Sequence, residues 1–339
     1  MKMGKDAAKP MPSRIISMAS LFYDSCVLFA AIELGVFEKL AKIKSCTASE
    51  LARELKVDEN RLALLLNACV AEGLLEKEAD KYKNSEESDM FLVPGKPSDL
   101  SSAIKYNKDV YPLWGRLVDL VRTGKPVEKP AIHLGDDKKR TRTFVMAMHG
   151  RAMAIGNMVV PFIELSGCKK VIDAGCGSGA FSILLSRKYP DIHFIAIDLP
   201  PVISITRELI TMENLNERIE TIAGNYHDVL FPDNCDAVLF LGVLHQESSS
   251  HIQLLLKKAY NSLSTNGRIY IMDMMTDATR TKPKFSALFA LNMALTTESG
   301  WVFSDHEINT WLAEAGFARI IIKPLPEPLP HWLASAVKL

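Results

Sequence analysis

Three groups in this chain have the residue types and spacing to do chemistry. The segment KKVIDAGCGSG is a short apolar run that ends in Asp173 and then places glycines at 175, 177 and 179. Glycine takes left-handed backbone conformations without steric cost and has no Cβ, so such a turn lets a ligand lie against bare main chain. About 20 residues beyond the turn, the apolar run HFIAID ends in Asp198, a carboxylate placed to accept both hydroxyls of a ribose. The third group is His245, which closes the run CDAVLFLGVL and takes no part in its core pattern. A His at the end of an apolar strand is a candidate general base, because its ordinary pKa lies near neutrality. A packing or capping His is the other reading of that position.

These groups need elements to hold them, and the second half of the chain supplies an alternation. KKVIDAG, HFIAIDL, IETIAG, CDAVLFLGVL and GRIYIMDMM read as strands; AFSILLSRKY, VISITRELITMENL, HIQLLLKKAYNSL and HEINTWLAEAGF read as helices. Strands alternating with helices of ten or more residues predict an α/β fold, a parallel sheet covered by helices on both faces. The glycine turn, Asp198 and His245 then share the ligand-bearing edge of that sheet. Two cofactors compete for it. A dinucleotide such as NAD usually takes G-x-G-x-x-G, whereas this turn reads D-x-G-x-G-x-G. An acid opening the turn suits the ammonium group of a methionine moiety, as in S-adenosylmethionine (SAM), and repels phosphates. A tight strand–helix turn without a ligand is the third reading.

The N-terminal half is patterned differently. Ser17 to Leu40 is long, mainly apolar and free of Pro, and reads as one or two buried helices. Thr47 and Glu50 form a T-x-x-E capping box into the helix ASELARELK. Asp58 opens ENRLALLLNACVAEG, which stops at Gly73, and LLEKEADKYKNS follows as two short strands around a polar turn. Helix, helix and wing predict a winged-helix unit over residues 1–97. Residues 98–166, with VYPLWGRLVDLVRTGKP and TFVMAMHGRAMAIGNMVVPFIEL, read as a helical bridge, and 167–339 as the Rossmann-like domain. A winged helix invites a DNA-binding regulator as a rival function. Its second helix, however, offers only Arg61 and Asn67 amid an apolar face, which suits burial in a homodimer better than contact with base edges.

Composition narrows the partners. Lys plus Arg equals Asp plus Glu at 40 each, so no basic footprint points to nucleic acid or an anionic membrane. The N-terminal segment MKMGKDAAKPMPSR is polar and not a secretory signal, and the apolar stretch from Ile15 is interrupted by Asp24, Glu33 and Glu38. The six cysteines form no C-x-x-C pair and lie in segments that read as buried, as expected of free thiols in a reducing cytoplasm; no zinc site is expected.

The sequence resembles the bacterial and plant small-molecule O-methyltransferases related to acetylserotonin O-methyltransferase. The likeness covers nearly the whole chain, through AAIELGVFEKL, TASELARELKVDENRLALLLNACVAEGLLEK, LWGRLVDLVRTGKP, VIDAGCGSG, IDLPPVI, AVLFLGVLHQ, GRIYIMDMM, ALNMALTTESG and LAEAGF. DLPPVI after the second acid is more distinctive than the glycine turn. The resemblance implies a metal-independent methyltransferase that uses SAM, acts on a hydroxyl of a small aromatic acceptor and dimerises through its winged-helix unit, the partner's N-terminal segment closing the acceptor pocket. It implies that Asp173, Gly175 and Gly177 hold the methionine end, Asp198 the ribose, and Leu199, Asn225 and Tyr226 the adenine. It makes His245 the base and Asp273 the acid that orients it, and it places Met146, His149, Met153, Phe289, Asn292 and Met293 along the acceptor pocket. His227 and His251 receive no role. Asn225 stands where the family commonly has Asp and Asp273 where it usually has Glu; beyond these, Leu241 replaces a Lys, Gln246 begins what is usually D-W, and Val302 stands where an acid is common. An S-, C- or N-methyltransferase of a non-phenolic molecule therefore stays open, as does a SAM-binding scaffold without catalysis.

Overall fold

The computed structural model describes residues 11–96, 98–129, 135 and 137–339. The first ten residues of the polar N-terminal segment lie outside them. The chain divides into two units, 1–105 and 106–339.

The first unit begins with α1 (Ser13–Ser20), α2 (Phe22–Glu33) and α3 (Val36–Ile43), followed by β1 (Cys46–Thr47), α4 (Ala48–Leu55) and α5 (Glu59–Ala71). It continues through β2 (Leu75–Glu78), β3 (Lys81–Asn84) and α6 (Glu86–Phe91). The capping box is present: Glu50 N–H donates to Thr47 Oγ1 at 3.2 Å, and Thr47 N–H donates to the Glu50 carboxylate at 2.8 Å. Asp58 caps α5 by accepting from Arg61 N at 2.8 Å, and Gly73 takes φ 72° just past its end. The three strands pair antiparallel in the order β1-β3-β2. Phe37, Leu40, Leu51, Leu66, Leu75 and Tyr82 share its core.

The expectation of buried helices over Ser17–Leu40 holds for its last part, where α3 buries Val36, Phe37 and Leu40, and is corrected for the rest. No residue of α1 is buried, and α2 buries only Ala31 and Ile32. Apolar residues run around α2 on all sides rather than in one stripe, so a single core can cover only its C-terminal end. The stretch Ser13–Glu33 is also long and apolar enough, by length and composition, to cross a membrane.

The second unit takes in the end of α7 (Ser101–Trp114), then α8 (Leu117–Thr123) and the long α9 (Lys138–Val159). The alternation follows as β4 (Lys170–Ala174), α10 (Ala180–Lys188), β5 (His193–Asp198), α11 (Pro200–Met212), β6 (Ile219–Ala223), β7 (Cys235–Leu241), α12 (Ser249–Ser262) and β8 (Leu263–Asp273). The chain closes with α13 (Lys284–Thr296), α14 (Asp305–Ala315), β9 (Ala318–Pro324) and β10 (Trp332–Val337). The sheet order is β6-β5-β4-β7-β8-β10-β9. Strand order reverses at β4, whose C-terminal end is therefore the point at which ligands bind in open α/β sheets. Successive strand residues feed opposite cores: Val171, Phe194 and Leu239 pack in one cluster, Ile172, Ile195 and Val238 in the other.

The sheet is mixed rather than wholly parallel, because β10 runs antiparallel to both β8 and β9. The segment 325–331 between β9 and β10 is too short for a helical crossover, so the chain has to turn straight back. All six cysteines are free, with Cys26 and Cys176 half-buried rather than buried.

Candidate active site

The glycine turn between β4 and α10 is built as its sequence demands. Gly175 and Gly177 have φ values of 72° and 54°, which disfavour any residue with a Cβ. Gly175 N–H and Cys176 N–H both donate to Ile197 O of β5, at 2.8 and 3.1 Å, tying the turn to the neighbouring strand. From behind, Thr206 of α11 donates its hydroxyl to Gly177 O at 2.6 Å. A Cβ at Gly175 would stand 2.6 Å from Val243 Cγ2 and 3.4 Å from Tyr226 Cε1, so only glycine lets those side chains pack on the turn, whereas the space beside Gly177 is open.

Both acids are where the pattern put them. Asp198, at the end of β5, accepts Gly177 N–H and Leu199 N–H, each at 2.7 Å. Burial pushes its carboxyl up to about 6, and those two backbone donors oppose the rise. Asp173 is buried and accepts from Ser182 Oγ at 2.6 Å. Burial raises it to about 6 as well, against the Ser182 bond and with the Asp198 charge adding to the rise. Leu199 packs partly buried against the core at the start of α11. Asn225 is exposed and uses Oδ1 to accept His227 N–H at 3.0 Å, and Tyr226 donates its hydroxyl to Glu247 Oε1 at 2.5 Å.

His245 lies beyond β7 rather than at its end. Gly242, at φ 76°, turns the chain, and His245 sits in the short 3-10 turn Leu244–Gln246. Its Nδ1 is 2.7 Å from Asp273 Oδ1, and its backbone N–H donates to Asp273 Oδ2 at 3.1 Å. Asp273, at the end of β8, is buried and also accepts Met274 N–H at 2.8 Å. A carboxylate on Nδ1 fixes the tautomer with its proton there, leaving Nε2 as the acceptor. Trp301 holds the same turn from the other side: its N–H donates to His245 O at 2.9 Å and its Nε1–H to Glu247 O at 2.8 Å. Val302, where an acid is common in the family, is buried beside it.

The pocket-lining expectations divide. Phe289 of α13 meets the His245 ring edge-on at 5.2 Å between centroids, and Phe285 stacks on Phe289 at 6.2 Å. Asn292 accepts from Trp114 Nε1 at 3.0 Å and Met293 is buried, while Met146 and Met153 of α9 pack partly buried on the core. His149 lies against the glycine turn: its Nδ1 is 3.0 Å from Ser178 Oγ, and burial lowers its pKa.

Two groups escaped the sequence reading. His331, in the turn between β9 and β10, is buried with Nδ1 unpartnered, and burial lowers it to about 4 while the Asp273 charge opposes that shift. Arg151 of α9 has its charged form disfavoured by desolvation. A His in the Pro-rich segment LPEPLPH was the only local sign of the first, and nothing in α9 marked the second.

Comparison with known proteins decides the family. Residues 114–318 match the model of the O-methyltransferase domain, and 16–94 match that of the O-methyltransferase dimerisation domain. The chain belongs to the O-methyltransferase family. The methyltransferase is 28% identical over 331 residues to a 3-hydroxy-5-methyl-1-naphthoate 3-O-methyltransferase of Streptomyces sahachiroi, covering 96% of this chain and 95% of that one. It is 29% identical to the acetylserotonin O-methyltransferase of Bos taurus, over 88% of this chain and 90% of that one. The solved human N-acetylserotonin methyltransferase in complex with SAM superposes with a TM-score of 0.87 at 26% identity, over 99% of both chains. The chain is thus a SAM-dependent O-methyltransferase of Rossmann-like α/β fold with an N-terminal dimerisation domain. The cradle fits the cofactor: open space beside Gly177, a buried Asp173 and a half-buried Asp198 on either side, and no basic group among the residues assigned to it.

Proposed function

We propose that the methyltransferase acts on a hydroxyl of a small aromatic acceptor, with His245 as general base and Asp273 as the residue that positions it. The carrying observation is the 2.7 Å contact between His245 Nδ1 and Asp273 Oδ1, which supports a tautomer with Nε2 as the basic nitrogen. A phenol with a pKa near 10 is only about one part in a thousand ionised at neutral pH. A positioned base recovers roughly 10² to 10⁴ in rate, which is the size of that deficit. Bound SAM supplies a methyl group on a sulfonium, already activated for attack. The protein's remaining task is to hold acceptor oxygen, methyl carbon and sulfur in line. The rings of Phe285 and Phe289 and the side chains of Met146, Met153 and Met293 support an aromatic acceptor, and relatives named for naphthoate and acetylserotonin support the same class.

On the cofactor side, Asp173, Gly175 and Gly177 would hold the methionine end, Asp198 the ribose hydroxyls, and Leu199, Asn225 and Tyr226 the adenine. The departures at Leu241, Gln246 and Val302 leave Asp273 as the one carboxylate on His245 Nδ1, with Trp301 fixing the turn through main-chain bonds. An intact His–Asp pair favours catalysis over a SAM-binding scaffold.

The N-terminal unit is proposed as a winged-helix dimerisation module, its partner a second copy of this chain. Asn67, which a base-reading helix would have to present, accepts from Tyr82 Oη at 2.9 Å and Lys77 Nζ at 3.0 Å within the unit, which speaks against DNA. The test is formation of S-adenosylhomocysteine from SAM across a panel of hydroxylated aromatics, thiols and amines. Turnover confined to hydroxylated aromatics is expected. Turnover with thiols or amines alone would overturn the acceptor class, and none at all would favour the scaffold.

A further inference from the structure

Outside the proposed catalytic pair, three ligand-forming side chains converge on the far side of Tyr226. His227 follows β6, Glu247 follows the His245 turn, and His251 stands in the first turn of α12. One ligand atom from each lies within 4.8 Å of the other two, the only such His/Cys/Asp/Glu group among the described residues. We propose that His227, Glu247 and His251 form a zinc site that ties the loop after β6 to the turn carrying His245.

The distances suit a small tetrahedral ion. His227 Nε2 is 3.0 Å and His251 Nδ1 3.2 Å from the same oxygen, Glu247 Oε2. Zinc about 2.0–2.2 Å from each N or O ligand sets neighbouring ligand atoms roughly 3.3 Å apart, so a small outward shift admits the ion. Two imidazoles and one carboxylate are the ligand types zinc takes, with a fourth position left to water. The half-exposed His251 ring gives that position access to solvent.

An ion-pair cluster without metal accounts for part of this geometry but not all of it. It explains His251, an exposed imidazole four residues along from a carboxylate. It does not explain His227, whose Nε2 is buried and makes no hydrogen bond although a carboxylate oxygen is 3.0 Å away. The two atoms are close but not aligned for a hydrogen bond, whereas both can reach a common ion set to one side of the line joining them.

The surroundings already orient the ligands. Tyr226 Oη donates to Glu247 Oε1, leaving Oε2 for the metal. Lys258 Nζ donates to the main-chain oxygens of Tyr226 and His227 at 2.7 and 2.8 Å, and Asn225 Oδ1 accepts the His227 N–H. Partners of this kind fix ligand orientation and strengthen metal binding. Because Tyr226 also lies against Gly175, zinc here stiffens the cofactor side of the site without taking part in methyl transfer.

The experiment uses the full-length protein, stripped with a chelator, dialysed and titrated with zinc chloride by calorimetry. One zinc per chain is expected, with a Kd of about 1 μM or tighter. His227→Ala or His251→Ala should weaken binding at least ~10-fold, while His306→Ala, an exposed His on α14, leaves it unchanged. Cobalt(II) should give the strong visible absorption of a four-coordinate site in the wild type and lose it in His251→Ala. Zinc should also raise the Tm of the wild type but not of His251→Ala, whose far-UV circular dichroism reports whether it folds. Equal zinc binding by the His227→Ala/His251→Ala variant, or a wild-type Kd weaker than about 100 μM, overturns the proposal.

Discussion

Asp198 holds its turn and is proposed to hold a ligand with the same two oxygens, and its ionisation ties the two jobs to pH. Burial lifts it to about 6, so the charged form, able to accept both ribose hydroxyls, prevails only above that pH. Affinity for S-adenosylhomocysteine should therefore fall as pH drops through about 6, with Asp173 adding to the loss. Calorimetric titrations between about pH 5 and 8 would show it, and Asp198→Asn should weaken binding ~10-fold or more and flatten the profile. A flat wild-type profile would remove Asp198 from the cofactor site. For stability the sign is opposite. Each carboxyl is raised above its unfolded value of about 3.9, so its contribution is complete below that pH and lost as pH rises through about 6. The base is tested separately. His245→Ala should lower kcat by a factor of about 10² or more and leave S-adenosylhomocysteine affinity intact, since no cofactor role is assigned to it. Unchanged turnover would move the base elsewhere, and the buried, neutral His331 would be the first residue to examine.

The strand–turn–helix around Gly175 shows what makes a feature legible in sequence. Its acid, glycines and following helix are contiguous, and so are the Thr47–Glu50 capping box and the Gly73 stop, because the forces that shape them act within a few residues. The same locality explains what stayed hidden. The antiparallel β9–β10 hairpin depends on the brevity of segment 325–331 rather than on any periodicity, and His331 enters the site only because that hairpin closes the sheet. His149 faces Ser178 of the glycine turn, a contact set by how α9 packs against α10 and not by the Met-rich pattern around it. Exposure of α1 was missed because apolar content does not say whether a single chain can cover it. Gly175 itself gives a sharp test. Gly175→Ala places a Cβ in a left-handed conformation, costing about 1–2 kcal/mol, and adds a 2.6 Å clash with Val243. The variant should melt several degrees lower and lose cofactor affinity. Adding Val243→Ala removes the clash but not the backbone cost, so only part of the Tm should return. Full recovery would show that the conformation at 175 is not strained.

At the level of the assembled protein, the question is what covers α1 and the first turns of α2. Ile15, Ile16, Leu21 and Tyr23 are each more than half exposed, an apolar stretch of a kind soluble monomers seldom leave open. Two partners suit it by composition. A bilayer would take the 21-residue span Ser13–Glu33, yet Asp24 lies inside that span and forms no ion pair among the described residues, which is costly in hydrocarbon. A second copy of the same helices suits it better, because a two-fold interface presents the same patch twice and leaves Asp24 free to stay at a wet rim. The domain match over 16–94 covers all but the first residues of the span. A stable interface needs roughly 800 Å² from each partner, which α1 and α2 must largely supply if they are the seam. Ile15→Asp combined with Tyr23→Asp puts two like charges of each chain against those of the other, and should turn the dimer into a monomer at micromolar concentration in sedimentation velocity. The wild type should remain dimeric in buffer without detergent. If it needs detergent to stay in solution, the bilayer is the partner instead; if the double variant remains dimeric, the seam lies elsewhere on the N-terminal unit.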